Sequence, residues 1–84
     1  MRLVASSRFL RKATKLRDPQ AAMLRAALRR FAANPRDPVL HIHKLKAELE
    51  DYGALRADDD LRVLFRWDGE MAFLVSIGSH DQVY

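Results

Sequence analysis

Two different periods divide this chain. Apolar residues recur at helical intervals in its first half and alternate with polar ones in its last third. Met1 to Ala5 can form a short strand, and Ser6 or Ser7 is a fair N-cap for a helix beginning there. Phe9, Ala13 and Leu16 recur at i, i+4 and i+7, which predicts a first helix of two to three turns. Asp18-Pro19 restarts the helix, with Asp18 as N-cap and Pro19 at the first helical position. Leu24, Leu28 and Phe31 mark the buried stripe of this second helix. Asn34-Pro35 ends it, because the residue before proline avoids the helical region. Residues 35 to 51 show neither period and read as irregular.

From Tyr52 the period is two. Leu55, Leu61, Val63 and Phe65 alternate with Arg56, Arg62, Leu64 and Arg66, and Met71, Phe73, Val75 and Ile77 alternate with Ala72, Leu74 and Ser76. Trp67-Asp68-Gly69 reads as a three-residue hairpin loop in which Gly69 supplies the positive φ. An odd loop puts Val63, Phe65, Phe73 and Val75 on one face. Treating Asp58-Asp59-Asp60 as a loop pairs Leu55 with Val63 and Arg56 with Arg62. The expected fold is α+β and a single domain over residues 1–84. It has a short N-terminal strand, a helical hairpin on the apolar face of a three-stranded antiparallel meander, and a second face bearing Arg56, Arg62 and Arg66.

Composition narrows the class. Eighty-four residues with 49% apolar content suit one small domain with an ordinary core. Without cysteine, neither a disulfide framework nor a cysteine-ligated zinc site is possible. No apolar run approaches the roughly 20 residues that cross a bilayer, and Met1-Arg-Leu-Val-Ala leads into polar sequence. A membrane partner and a signal peptide are therefore not expected, and a cytoplasmic location is. The net charge of +4 is unevenly spread. Residues 1–46 carry 12 Lys/Arg against 2 Asp, while residues 47–84 carry 3 Arg against 9 acids. A basic half of this kind suits a polyanion such as RNA, DNA or the ribosome, and is also what a solvated helix face looks like.

Three groups could carry chemistry. A guanidinium fork donates two parallel hydrogen bonds to a phosphate, so Arg56, Arg62 and Arg66 on one sheet face make a phosphate site; arginine on a solvated strand is the plainer reading. His41, His43, Lys44 and Lys46 form a basic segment suited to a nucleic-acid backbone. The two histidines at i, i+2 lack a third ligand that would make them a metal site. His80 follows Gly78-Ser79 at the end of the last strand, where an imidazole at the sheet rim can move protons. Tyr84 lies four residues on and can stack on a base or present its hydroxyl to a phosphate. A glycine-rich phosphate loop, a Ser–His–Asp set and a paired-carboxylate arrangement are all absent.

Taken in order, His43-Lys-Leu-Lys-Ala-Glu-Leu, Leu55-Arg56, Leu61-Arg-Val-Leu-Phe-Arg and Ile77-Gly-Ser-His-Asp-Gln-Val-Tyr resemble the RelE/ParE-type toxins of bacterial type II toxin–antitoxin modules. The family's recurring segments are H-x-L-K-G-x-L, R-V-x-F-R and G-x-H-D-x-V-Y at similar spacing. The N-terminal half matches in layout only. Asp51-Tyr52-Gly53-Ala54 departs from the family's usual Gly–aromatic–Ser, and Leu61 stands where an aromatic is common.

The resemblance implies a RelE-like fold, a cognate antitoxin forming a hetero-oligomer, and ribosome-dependent cleavage of mRNA without a cofactor or metal. The family's basic, imidazole and terminal aromatic positions fall on Lys44, Lys46, Arg56, His80 and Tyr84. On that reading His80 is the acid or base, Arg56 clamps the phosphate with Lys44 and Lys46, and Tyr84 stacks on or orients a base. His43, Arg62 and Arg66 would contact RNA. Two other roles stay open: a gyrase-binding toxin of the same fold, and a catalytically weak relative that acts through its antitoxin. The triple-Asp loop, which sets negative charge near the phosphate face, bears on the last.

Overall fold

The computed structural model describes residues 1–45, 51–79 and 82. Strand β1 (Arg2–Ala5) leads into helix α1 (Ser7–Ala13) and helix α2 (Gln20–Ala33). A short 3-10 turn, Pro38–Leu40, precedes strand β2 (His43–Lys44), and β3 (Tyr52–Asp58), β4 (Leu61–Asp68) and β5 (Met71–Gly78) complete the sheet. Its order is β1-β5-β4-β3-β2. β1 runs parallel to β5, and the other neighbours are antiparallel. The expected α+β layout is found, enlarged by β2 at one edge and with β1 paired at the other.

The local signals act largely as read. Ser6 caps α1, its Oγ accepting from the Phe9 N–H at 3.0 Å. The second helix begins one residue later than expected, with Pro19 at the cap and Asp18 before it. The Asp18 carboxylate still reaches the helix start, accepting from the Ala22 N–H at 3.1 Å. α2 buries Leu24, Ala27 and Phe31, and Asn34 leaves it in an extended conformation.

The core lies between the helices and one sheet face. Phe31, Phe65, Leu40, Leu55 and Val63 are its largest fully buried side chains. Phe31, Phe65 and Trp67 form an aromatic cluster, with centroids 4.7 Å apart for Phe31–Phe65 and 4.9 Å for the edge-on Phe65–Trp67 pair. Rings packed this way gain about 0.5–1.5 kcal/mol per pair beyond simple burial. Gly53 sits opposite Phe65, and a Cβ there would lie 2.6 Å from the ring.

The second hairpin departs from the expected one. Asp68 pairs with Met71, so the loop is the two-residue Gly69-Glu70, and Trp67 and Asp68 belong to β4. Gly69, at φ 61°, occupies the first loop position, where glycine takes a positive φ at no steric cost. This even loop sends Ala72 and Leu74 into the core in place of Phe73 and Val75. A register shift between Leu64 and Phe65 leaves Val75 unpaired, and this bulge turns Ile77 back inward. The gain is the burial of Trp67 against Phe31 and Phe65, which a Trp67-Asp68-Gly69 loop would have forgone.

The cap and last turn of α1 close the exposed part of the β5 edge. β1 pairs only with Met71 to Leu74. Beyond it, the Ser6 hydroxyl donates to the Val75 carbonyl at 2.8 Å and Lys12 Nζ to the Ile77 carbonyl at 3.0 Å. Serving free strand carbonyls with a serine and a lysine blunts an edge that could otherwise recruit another chain. None of the helices among the described residues is long and apolar enough to cross a membrane.

Candidate functional site

Register builds the sheet's outer face. Leu55 faces Val63 and Arg56 faces Arg62, as the alternation implied, although the turn is Asp59-Asp60 with a shift between Arg56 and Asp58. Leu55, Leu61, Val63 and Phe65 point to the helices. Arg56, Arg62 and Arg66 therefore share the opposite face. Tyr52 pairs with Arg66 across β3–β4, and Phe73 pairs with Arg66 across β4–β5. The outer face thus carries two aromatic residues among its three arginines.

Each arginine is held differently. The Arg66 guanidinium lies over the Phe73 ring, 5.1 Å from its centroid, and its side chain is exposed. Arg62 Nη1 donates to the Asp58 carbonyl at 2.6 Å. Arg56 Nη2 donates to the Asp59 carboxylate in the turn. Arg56 and Arg62 are directly opposed like charges, an arrangement that destabilises an antiparallel pair unless something neutralises it. The acidic turn supplies that neutralisation.

β2 sorts the basic segment. His43 pairs with Ala54 and so belongs to the arginine face, diagonal to Tyr52 and Arg56. Lys44 pairs with Gly53 and falls on the helix side of this edge strand, exposed to solvent. The expected clamp of Arg56 with Lys44 is therefore not assembled on one face, whereas His43 with Arg56, Arg62 and Arg66 is. Lys46, His80 and Tyr84 lie outside the described residues. His41 ends the 3-10 turn in a left-handed conformation, and no group of three or more potential metal ligands occurs among the described residues.

Two features escaped the sequence reading. Phe73, expected in the core, instead carries Arg66, because the two-residue Gly69-Glu70 loop sets its phase. After β5, the Ser79 N–H donates to Gln82 Oε1 at 2.9 Å and the Gln82 N–H reaches Ser79 Oγ at 3.3 Å. This reciprocal pair is a capping box, and its signal, Ser-x-x-Gln, was visible in the chain.

No family model matches this sequence, and no curated protein is similar to it at the sequence level. Solved structures do match. YafQ from E. coli superposes with a TM-score of 0.76 at 17% identity, covering 100% of this chain and 99% of that one. A YoeB/ParE toxin from Agrobacterium tumefaciens gives 0.78 at 15% identity, covering 95% and 99%. The chain has the RelE-like fold of these toxins. That fold also occurs in the E. coli DinJ-YafQ toxin-antitoxin complex, which matches with a TM-score of 0.75 at 15% identity over 98% of this chain and 94% of that one. At such low identity the shared property is the RelE-like architecture, α+β with the helical hairpin inserted between β1 and the remaining strands.

Proposed function

We propose that this chain is the toxin of a type II toxin–antitoxin pair, an endoribonuclease that cleaves mRNA on the ribosome. The observation that carries this reading is the end-to-end likeness in fold to YafQ and YoeB/ParE toxins. The row of Arg56, Arg62 and Arg66 with Tyr52 and Phe73 on the open sheet face supports it, because arginines bind phosphates and aromatic rings stack on bases. In the proposed reaction a base takes the proton from a ribose 2′-OH, whose oxygen attacks the adjacent phosphorus. The bond to the 5′-oxygen breaks, and an acid protonates that leaving oxygen. Arg56 neutralises charge on the transition-state phosphoryl oxygens, with Arg62 beside it. His80 is assigned the acid or base role, Tyr84 the stacking or orienting role, and Lys44 and Lys46 contacts to flanking phosphates. The cognate partner is an antitoxin with an acidic segment that covers this face.

A second reading, a catalytically weak relative acting through its antitoxin, draws on one observation: Arg56 already holds Asp59. Induced expression in a bacterium separates the two. Wild type is expected to arrest growth with ribosome-dependent mRNA cleavage. His80→Ala is expected to cut the cleavage rate by about 10²–10⁴, the contribution of a positioned proton-transfer group. Healthy growth under strong expression of the wild type would sink the nuclease reading, and arrest with intact mRNA and blocked supercoiling would point to gyrase.

A further inference from the structure

We infer that Asp59 is a built-in stand-in for the substrate phosphate, occupying the Arg56 guanidinium until RNA displaces it. The inference rests on reading the arginine face as the site of an RNA backbone. Arg56 and Arg62 are a directly opposed cross-strand pair. Residues so placed have Cβ atoms only about 4.5–5.5 Å apart, and like charges there repel. The turn joining their strands sends an acceptor to each: the Asp59 carboxylate to Arg56 and the Asp58 carbonyl to Arg62. The register shift between Arg56 and Asp58 is the local irregularity from which this turn departs.

The contact is built to be given up. Asp59 is 88% exposed at the tip of the turn, and it meets Arg56 through one nitrogen and one oxygen. Exposed pairs of this kind hold weakly. A phosphate takes both arms of a guanidinium fork and, placed between Arg56 and Arg62, can accept from both side chains. It therefore outcompetes a single carboxylate contact, whereas a weakly coordinating anion does not. Asp59 sets a threshold: Arg56 stays neutralised when the face is empty and opens to phosphodiesters.

The test measures binding of a fluorescein-labelled, single-stranded RNA with 2′-O-methyl riboses, which lacks the nucleophile. Anisotropy titrations at about 0.10–0.15 M salt compare full-length wild type, Asp59→Asn, Arg56→Ala, the Arg56→Ala/Asp59→Asn double variant, and Glu70→Gln. Glu70→Gln removes one negative charge at the opposite end of β4, roughly 23 Å away and beyond the screening length of about 8–10 Å at 0.10–0.15 M salt. Asp59→Asn is expected to tighten binding about two- to fivefold. Glu70→Gln should change it little, and the gain should vanish in the Arg56→Ala background. A gain that persists without Arg56 would reduce Asp59 to a generic negative charge and overturn the inference. No gain from Asp59→Asn, with Arg56→Ala still weakening binding, would overturn the inference and leave the RNA site standing. Indifference of binding to Arg56→Ala and Asp59→Asn alike would overturn both. Thermal melts verify that each variant folds, and Asp59→Ser replaces Asp59→Asn if the latter does not.

Discussion

Gly53 shows how closely the two sheet faces depend on single positions. It lies opposite Phe65, whose ring fills the space that a side chain at 53 would need. The ring is itself wedged between Phe31 and Trp67 and has little room to yield. Gly53→Ala is therefore expected to destabilise the domain by on the order of 1–3 kcal/mol, the usual cost of overpacking, read from urea midpoints. Asp37 offers a pH-dependent counterpart. The Val39 N–H at 3.0 Å lowers its carboxyl most; desolvation opposes this, and Arg30 at 3.1 Å adds to the lowering, so the group lies below the ordinary carboxylate range. A folded-state pKa lowered in this way stabilises the protein above the unfolded-state value, about 3.9. That contribution disappears as pH falls through the folded-state value. Asp37→Asn should be less stable than wild type at neutral pH, and the gap should narrow below about pH 4. Denaturation midpoints measured from pH 2.5 to 7 check this, and a gap that widens in acid would contradict it.

At the scale of elements, Ser6 joins three parts of the chain. Its backbone N–H donates to the Leu74 carbonyl, its hydroxyl donates to the Val75 carbonyl, and the same oxygen accepts from Phe9 at the start of α1. Ser6→Ala removes the cap and leaves a strand carbonyl without its donor. The expected cost is about 1–2 kcal/mol, or a fall in Tm of roughly 4–16 °C for a domain of this size. Ser6→Thr should recover most of it in thermal melts. Elements of this kind were legible in the chain because caps and periods are local. Ser6, the Leu24–Phe31 stripe and the Asn34 stop all acted as the sequence suggested. The β3–β4 register was legible too, since both strands alternate cleanly around the Asp triplet. The β4–β5 phase was not. Met71 to Ile77 is apolar on both faces, so alternation could not choose between loops, and a bulge leaves no mark in composition. β2 was invisible for another reason: two residues have no period, and they are a strand only because β3 offers an edge.

At the scale of the molecule, the arginine face was foreseen because it follows from one register, Arg56 against Arg62. The side of the sheet on which Lys44 falls depends on β2 and was not foreseen. Nor was the occupation of Arg56, which depends on how the bulged strand delivers the turn. The basic helical half and the acidic remainder fold into one body whose outer sheet face is partly neutralised from within.

The pairing of β1 with β5 also has a meaning in time. Arg2 finds its partner in Met71, and Ala5 in Leu74. At about 5–20 residues per second, a chain of this length takes roughly 4–17 s to synthesise. For most of that interval the first strand has nothing to pair with, because the last has not been made. Helices and the central hairpins can form as they emerge, since their contacts are local. The sheet can close only once Met71 to Leu74 have emerged. The first strand to be made is thus the last to find its place.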